Sequence, residues 1–236
     1  MKASDEEVKV SIVIPTKNEA LSVCDVIQSI YESNIPNSEI ILVDGHSTDG
    51  TVDKVKITFD HVRIVLQEDE GKGNGMRLGA EQARGNILIF IDADGSHDPS
   101  DIIKLYQPIQ NNEADMVVGS RGRGGSDELH GDITKFLRMT GSDFIGLLGN
   151  YRFNVRLTDY QNGFRAIKKN IFLKLNLKEK HTTIEQEMGF KALHYGYRIK
   201  EIPSHEYARK AGESKISLRR VWFRYIYTAI LYLFKK

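Results

Sequence analysis

The chain has 236 residues, enough for one large domain or two small ones. At 40% hydrophobic and 28% charged it has the composition of a folded globular protein, not of a disordered or fibrous one. Its single cysteine, Cys24, excludes an internal disulfide, and the net charge of +1 gives no reason to expect a nucleic-acid partner. That balance hides an asymmetry: residues 204–236 hold eight Lys/Arg against two Asp/Glu, so the body before them is net acidic and the end basic. No charged-then-apolar leader opens the chain, and a cytoplasmic protein is expected.

In chain order, residues 8–14 read as a first strand ended by Pro15, and Asn18 as the cap of a helix carrying Leu21, Cys24, Ile27 and Tyr31. Residues 40–43 form a second apolar strand ending in Asp44. A turn follows, with Thr48 or Asp49 capping a helix that carries Val52, Val55 and Phe59. A strand at 63–66, a helix at 74–83, a strand at 87–91, a helix opened by Ser100 and a strand at 116–118 continue the alternation. Strands alternating with helices predict a parallel α/β sheet with right-handed crossovers. Further on, 119–126 reads as a flexible basic loop and 133–151 as an amphipathic helix interrupted at Gly141. Residues 159–167 read as a strand or strand-turn, 184–195 as a helix and 198–202 as a late strand. No repeat or linker is visible, so residues 1–216 are expected to form one domain, with 217–236 as an appended helix.

The strand at 87–91 is continuously apolar, as a strand buried on both faces should be, and it runs into Asp92 and Asp94. Alternation turns these two carboxylates the same way at the carboxyl end of the sheet, where open α/β sheets bind ligands. They could cap the next helix, serve as a glycosidase pair, or hold a hard divalent cation beside a diphosphate. Asp44, ending its own strand, could contact a base or ribose, or cap the helix at Thr51. Gly71-Lys72-Gly73-Asn74-Gly75 fits neither the dinucleotide fingerprint nor the P-loop. It is either a tight-turning loop or one whose N–H groups and Lys72 approach a phosphate.

Arg121 and Arg123 suit phosphate capture or a solvated loop, and Arg138 sits on the polar side of its helix. The histidines lack zinc spacing. The tail SLRRVWFRYIYTAILYLFKK places Leu218, Val221, Trp222, Tyr225, Ala229 and Leu233 on one stripe, with Arg219, Arg220 and Arg224 opposite. It is too short and interrupted to span a bilayer. It suits a helix lying in a membrane interface, or one packed on the domain or on a second subunit; a homo-oligomer stays open.

Taken together, IVIPTKNE (12–19), VDGHSTDGT (43–51), GKGNGMRLGAEQARG (71–85), DADGSHDP (92–99), VVGSRGRGG (117–125), TDYQNGFRAIKK (158–169) and RKAGESK (209–215) resemble, in order, the inverting glycosyltransferases of the GT-A fold. The resemblance is to the dolichyl-phosphate mannose synthase group. It implies a nucleotide-sugar donor (GDP-mannose or a UDP-hexose), a polyprenyl or dolichyl phosphate acceptor at the cytoplasmic membrane face, and Mg²⁺ or Mn²⁺. It further implies that Pro15, Glu19 and Asp44 contact the nucleotide, and that Asp92 and Asp94 form the metal-diphosphate motif. Ser96 would stand at a third ligand position that some relatives fill with Gln. Arg121, Arg138 and Ser142 would hold the acceptor phosphate, and Arg209 and Lys215 would close over the diphosphate. A glycosyltransferase acting on a sugar hydroxyl, and a membrane-tethered nucleotide-binding module without turnover, are the alternatives.

Overall fold

A computed structural model of the chain describes residues 8–127, 133–209 and 218–234. The strands are β1 (Val10–Thr16), β2 (Ser38–Asp44), β3 (Arg63–Leu66), β4 (Ile87–Phe90), β5 (Met116–Ser120), β6 (Arg165–Lys168) and β7 (Ile199–Pro203). The helices are α1 (Val23–Glu32), α2 (Thr51–Thr58), α3 (Lys72–Gln82), α4 (Ile102–Gln110), α5 (Arg121–Gly124), α6 (Ile133–Phe153), α7 (Lys169–Lys174), α8 (Ile184–His194) and α9 (Leu218–Phe234). The strands form one sheet in the order β3-β2-β1-β4-β6-β5-β7.

The central strands are apolar throughout because both faces are covered. Val10, Ile12 and Ile14 of β1, with Ile87 and Ile89 of β4, enter a core shared with α1 and α4. Val13 of β1, with Leu88 and Phe90 of β4, enters the opposite core, formed with α3, α7 and α8. A third cluster joins Ile145 of α6 and Phe190 of α8 to Ala229, Tyr232 and Leu233 of α9.

Five features depart from the sequence expectation. β6 runs antiparallel to both its neighbours, β4 and β5, so the sheet is mostly and not wholly parallel. Pro15 lies inside β1, opposite Val43 and beyond the last β4 pair, where its missing N–H breaks no ladder bond to β4. Asn18 is not a cap; it has a left-handed backbone (φ 58°), and its side-chain oxygen accepts from Thr48 N at 2.8 Å. α6 runs through Gly141 without a break. The 119–126 stretch is not a loose loop: it completes β5 and forms α5, capped by Ser120 Oγ, which accepts from Arg123 N.

Candidate active site

All the parallel strands end at one edge of the sheet, so the segments after β1, β2, β4, β5 and β7 gather there. Because β6 is reversed, its amino end and the preceding turn, 159–164, arrive at the same edge.

On one side of this edge stand the carboxylates. β4 ends at Phe90, so Asp92 and Asp94 lie in the turn beyond it and strand alternation does not orient them. Asp94 Oδ1 accepts from Ser96 N at 3.0 Å, and its Oδ2 lies 3.3 Å from Arg209 Nε. Asp92 Oδ1 is 2.6 Å from Lys72 Nζ, which also meets Glu185 Oε1 at 2.8 Å. Glu19 completes the group: burial and then the negative charge of Asp94, joined by that of Asp92, raise its carboxyl above the usual range. Asp44 is buried at the end of β2 and accepts from Ser47 N at 3.1 Å. At the start of α2 it is Asp49 that accepts from Thr51 N, at 3.1 Å, while Gly50 is the capping residue itself.

The glycines of the loop answer to close packing. A Cβ on Gly71 or Gly73 would lie 2.2 Å from the carbonyl oxygens of Lys180 and Glu179 respectively, and Gly71 has φ +105°. The glycines let the start of α3 press against residues 179–181. Lys72 turns inward to its two carboxylates. Burial disfavours its charge, but Asp92 and Glu185 outweigh that and hold it above the ordinary lysine value.

On the other side lies the arginine. Arg121 Nε donates to Asp159 Oδ2 at 2.7 Å, one Nη donates to Asp159 Oδ1 at 3.0 Å, and the other reaches Glu206 Oε1 at 3.4 Å. It is thus a mostly buried ion-pair hub, not a solvated loop residue. Burial opposes ionisation of Asp159, but the charge of Arg121 prevails and holds the carboxyl below its usual value. Arg123 is also engaged, donating to Glu201 O at 3.0 Å. A cleft of about 540 Å³ opens here, with Arg121, Ser142, Asn150 and Thr158 on its walls. Arg138 precedes Ser142 by about one turn of α6; its side chain lies outside the described residues, as does Lys215.

The segment after β7 joins the two sides. Tyr207 N donates to Ser96 O at 2.8 Å, Glu206 N donates to Gly125 O at 3.0 Å, and Arg209 then meets Asp94. Sequence reasoning missed Asp159, Glu185 and Glu206, whose partners are distant in the chain. His97 lies here too, buried and stacked on Phe164 at 5.1 Å beside Asp92. Burial pushes the His97 imidazole down. A larger cleft of about 720 Å³, lined by Lys9, Arg84, Lys168 and Lys169, opens at the opposite edge of the sheet and holds none of these carboxylates.

Among the described residues, no three His, Cys, Asp or Glu side chains form a complete metal cage. The two carboxylates of the Asp92–Asp94 turn suit a hard cation that takes its remaining ligands from a diphosphate, the usual habit of Mg²⁺.

The tail corrects the reading of its stripe. Ala229, Tyr232 and Leu233 face inward onto α6 and α8, and Arg224 pairs with Glu179 at 3.1 Å. The outward face is a second apolar row, Phe223, Tyr227, Ile230 and Phe234, and α6 shows a matching row of Phe144, Leu147, Leu148 and Tyr151. Among the described residues, no helix is long and apolar enough to cross a membrane.

The family model for Glycosyl transferase family 2 matches residues 11–175. An undecaprenyl-phosphate mannosyltransferase of Micrococcus luteus is 30% identical, over 89% of this chain and 88% of its own length. Glycosyltransferase AglJ of Haloferax volcanii is 29% identical over 86% of this chain, which spans only 64% of AglJ. Glucosyl-3-phosphoglycerate synthase from Mycobacterium tuberculosis, solved with Mn²⁺ and UDP, superposes with a TM-score of 0.74 at 21% identity, covering 95% of this chain and 79% of its own. That likeness concerns the fold, which is GT-A.

Proposed function

The chain belongs to glycosyl transferase family 2, and on that premise we propose that it transfers a hexose from a nucleotide-sugar to a polyprenyl or dolichyl phosphate, with inversion. The observation that carries this reading is the cleft holding Arg121 and Ser142. It opens at the carboxyl end of β5, against Asp159 of the 159–164 turn, and shares Leu147 with the exposed apolar row of α6. A cleft with the Arg121–Asp159 pair on its wall, continuous with an exposed apolar face, suits an amphiphile, whose phosphate head Arg138 would meet.

In this reading the nucleotide lies along the ends of β1 and β2, against Pro15, Glu19 and Asp44. Asp92 and Asp94 would hold Mg²⁺ or Mn²⁺, which supplies charge neutralisation for the departing diphosphate. Ser96 steadies Asp94 through its backbone N–H, and its hydroxyl is the proposed further ligand. Arg209 approaches the diphosphate from the segment after β7, with Lys215 beyond it. Arg138 and Ser142 receive the acceptor phosphate next to the Arg121–Asp159 pair. A phosphate monoester with a second pKa of about 6 is already largely dianionic at pH 7, so it attacks the anomeric carbon without a general base. Positioning supplies the catalysis. The outward faces of α6 and α9 rest on the cytoplasmic membrane surface, where such an acceptor resides.

The test is a panel of GDP- and UDP-hexoses with a polyprenyl phosphate and Mg²⁺ or Mn²⁺, with and without EDTA. Lipid-linked hexose that EDTA abolishes supports the reading. Transfer only to sugar hydroxyls, or no transfer from any donor, overturns it.

A further inference from the structure

Lys72 sits where a cation is needed, inside the protein. Its ammonium lies 2.6 Å from Asp92 Oδ1 and 2.8 Å from Glu185 Oε1. Glu185 is 1% exposed, yet its second oxygen, Oε2, is buried with no hydrogen-bond partner. The backbone of Gly163 closes over the group: a Cβ there would stand 2.5 Å from Lys72 Nζ and 2.9 Å from Asp92 Oδ2. An ammonium has three donors on a flexible stem. The spare acceptor capacity is therefore on the Glu185 side, and a buried acceptor left unfilled is costly.

We infer that Lys72 is a placeholder for the divalent cation, holding Asp92 while the ion is absent and passing to Glu185 when the ion arrives. This rests on the reading that Asp92 and Asp94 take the ion. Two like charges on one carboxylate repel strongly in a partly buried site. The incoming ion displaces the ammonium, and the ammonium fills the empty Glu185 oxygen. Lys72 and Glu185 are positioning residues: neither touches the ion, and together they set how readily Asp92 is surrendered to it.

The experiment measures Mn²⁺ uptake by the full chain in the presence of saturating GDP or UDP, by electron paramagnetic resonance, in wild type, Lys72→Met, Glu185→Gln and the double variant. Lys72→Met removes the competitor and should tighten Mn²⁺ about tenfold, while Glu185→Gln removes the receiver and should weaken it about tenfold, within the range of coupling between touching residues. In the Lys72→Met background the same Glu185→Gln change should have less than about a twofold effect, because its action runs through the lysine. An equal Glu185→Gln effect in both backgrounds, or no tightening in Lys72→Met, overturns the handover. Thermal melting checks folding; where Lys72→Met does not fold, unchanged Mn²⁺ affinity in Glu185→Gln alone overturns it. A wild-type chain that takes up no Mn²⁺ overturns the metal reading along with this one.

Discussion

Replacing Phe223 and Phe234 together with serine strips two rings from the outward face of α9 without touching its packed face. Phe223 is 76% exposed and Phe234 74%, so about three quarters of each ring has no protein neighbour to lose. Fully burying a phenylalanine side chain is worth about 1.5–3 kcal/mol, so each ring offers roughly 1–2 kcal/mol to a membrane and the pair about 2–4. At 1.4 kcal/mol per decade, vesicle partitioning should fall by roughly 30-fold to several hundredfold. The assay is co-sedimentation with anionic vesicles at high salt, which screens the basic residues and leaves the apolar part. The melting temperature should not move. Unchanged partitioning, or loss of stability or of an oligomer in its place, would show that these rings meet protein. Removing the whole tail is not an equivalent experiment: Leu233 is 3% exposed within the third core cluster. Truncating one such buried leucine to alanine costs about 2–5 kcal/mol.

Asp94→Asn should abolish metal-dependent donor binding in calorimetry, and near-normal binding would remove Asp94 from the ion. Arg121→Ala leaves Asp159 and Glu206 without their guanidinium, so denaturant unfolding should show a loss of about 3–5 kcal/mol before any acceptor effect is read. Arg138→Ala, by contrast, should lose acceptor affinity at least about tenfold, as deleting a charge-assisted hydrogen bond does, while donor binding stays intact. Asp115 is held well below the usual carboxylate range by hydrogen bonds from Arg198, then Lys168, against its partial burial. A depressed folded value gives stability that is present above pH ~4 and lost as the pH falls toward that value. Asp115→Asn should therefore flatten the acid limb of a stability–pH curve.

The parts of this molecule that the sequence disclosed are those where local pattern and tertiary role coincide. The residues 87–91 run is apolar because β4 is covered on both faces, and 63–66 carries its strand to the residue. The direction of β6 is set by the route of the chain across the sheet, which Arg165–Lys168 do not encode. Lys72 reads as a ligand contact because glycines surround it, but those glycines answer to the 179–181 backbone, which no local pattern announces. Arg121 looks solvated because Asp159 and Glu206 are 38 and 85 residues away along the chain. In α9 both faces are apolar, so periodicity finds a stripe without saying which side turns inward.

The reversed strand has a consequence for how such a protein can diversify. β6 stands between a block made of β3, β2, β1 and β4 and a block made of β5 and β7. Asp92 and Asp94 follow the first block, while Arg121 follows the second. The two blocks share no strand-to-strand pairing except through β6, whose entry turn, 159–164, supplies Asp159 to one and Gly163 to the other. β6 is thus a seam. On the proposed function, residues that would face the acceptor can change on β5, α6 and α9 without disturbing the register of β1 to β4. An altered seam, in contrast, is felt on both sides at once, so the 159–164 turn is where exchange of one specificity would meet resistance from the other.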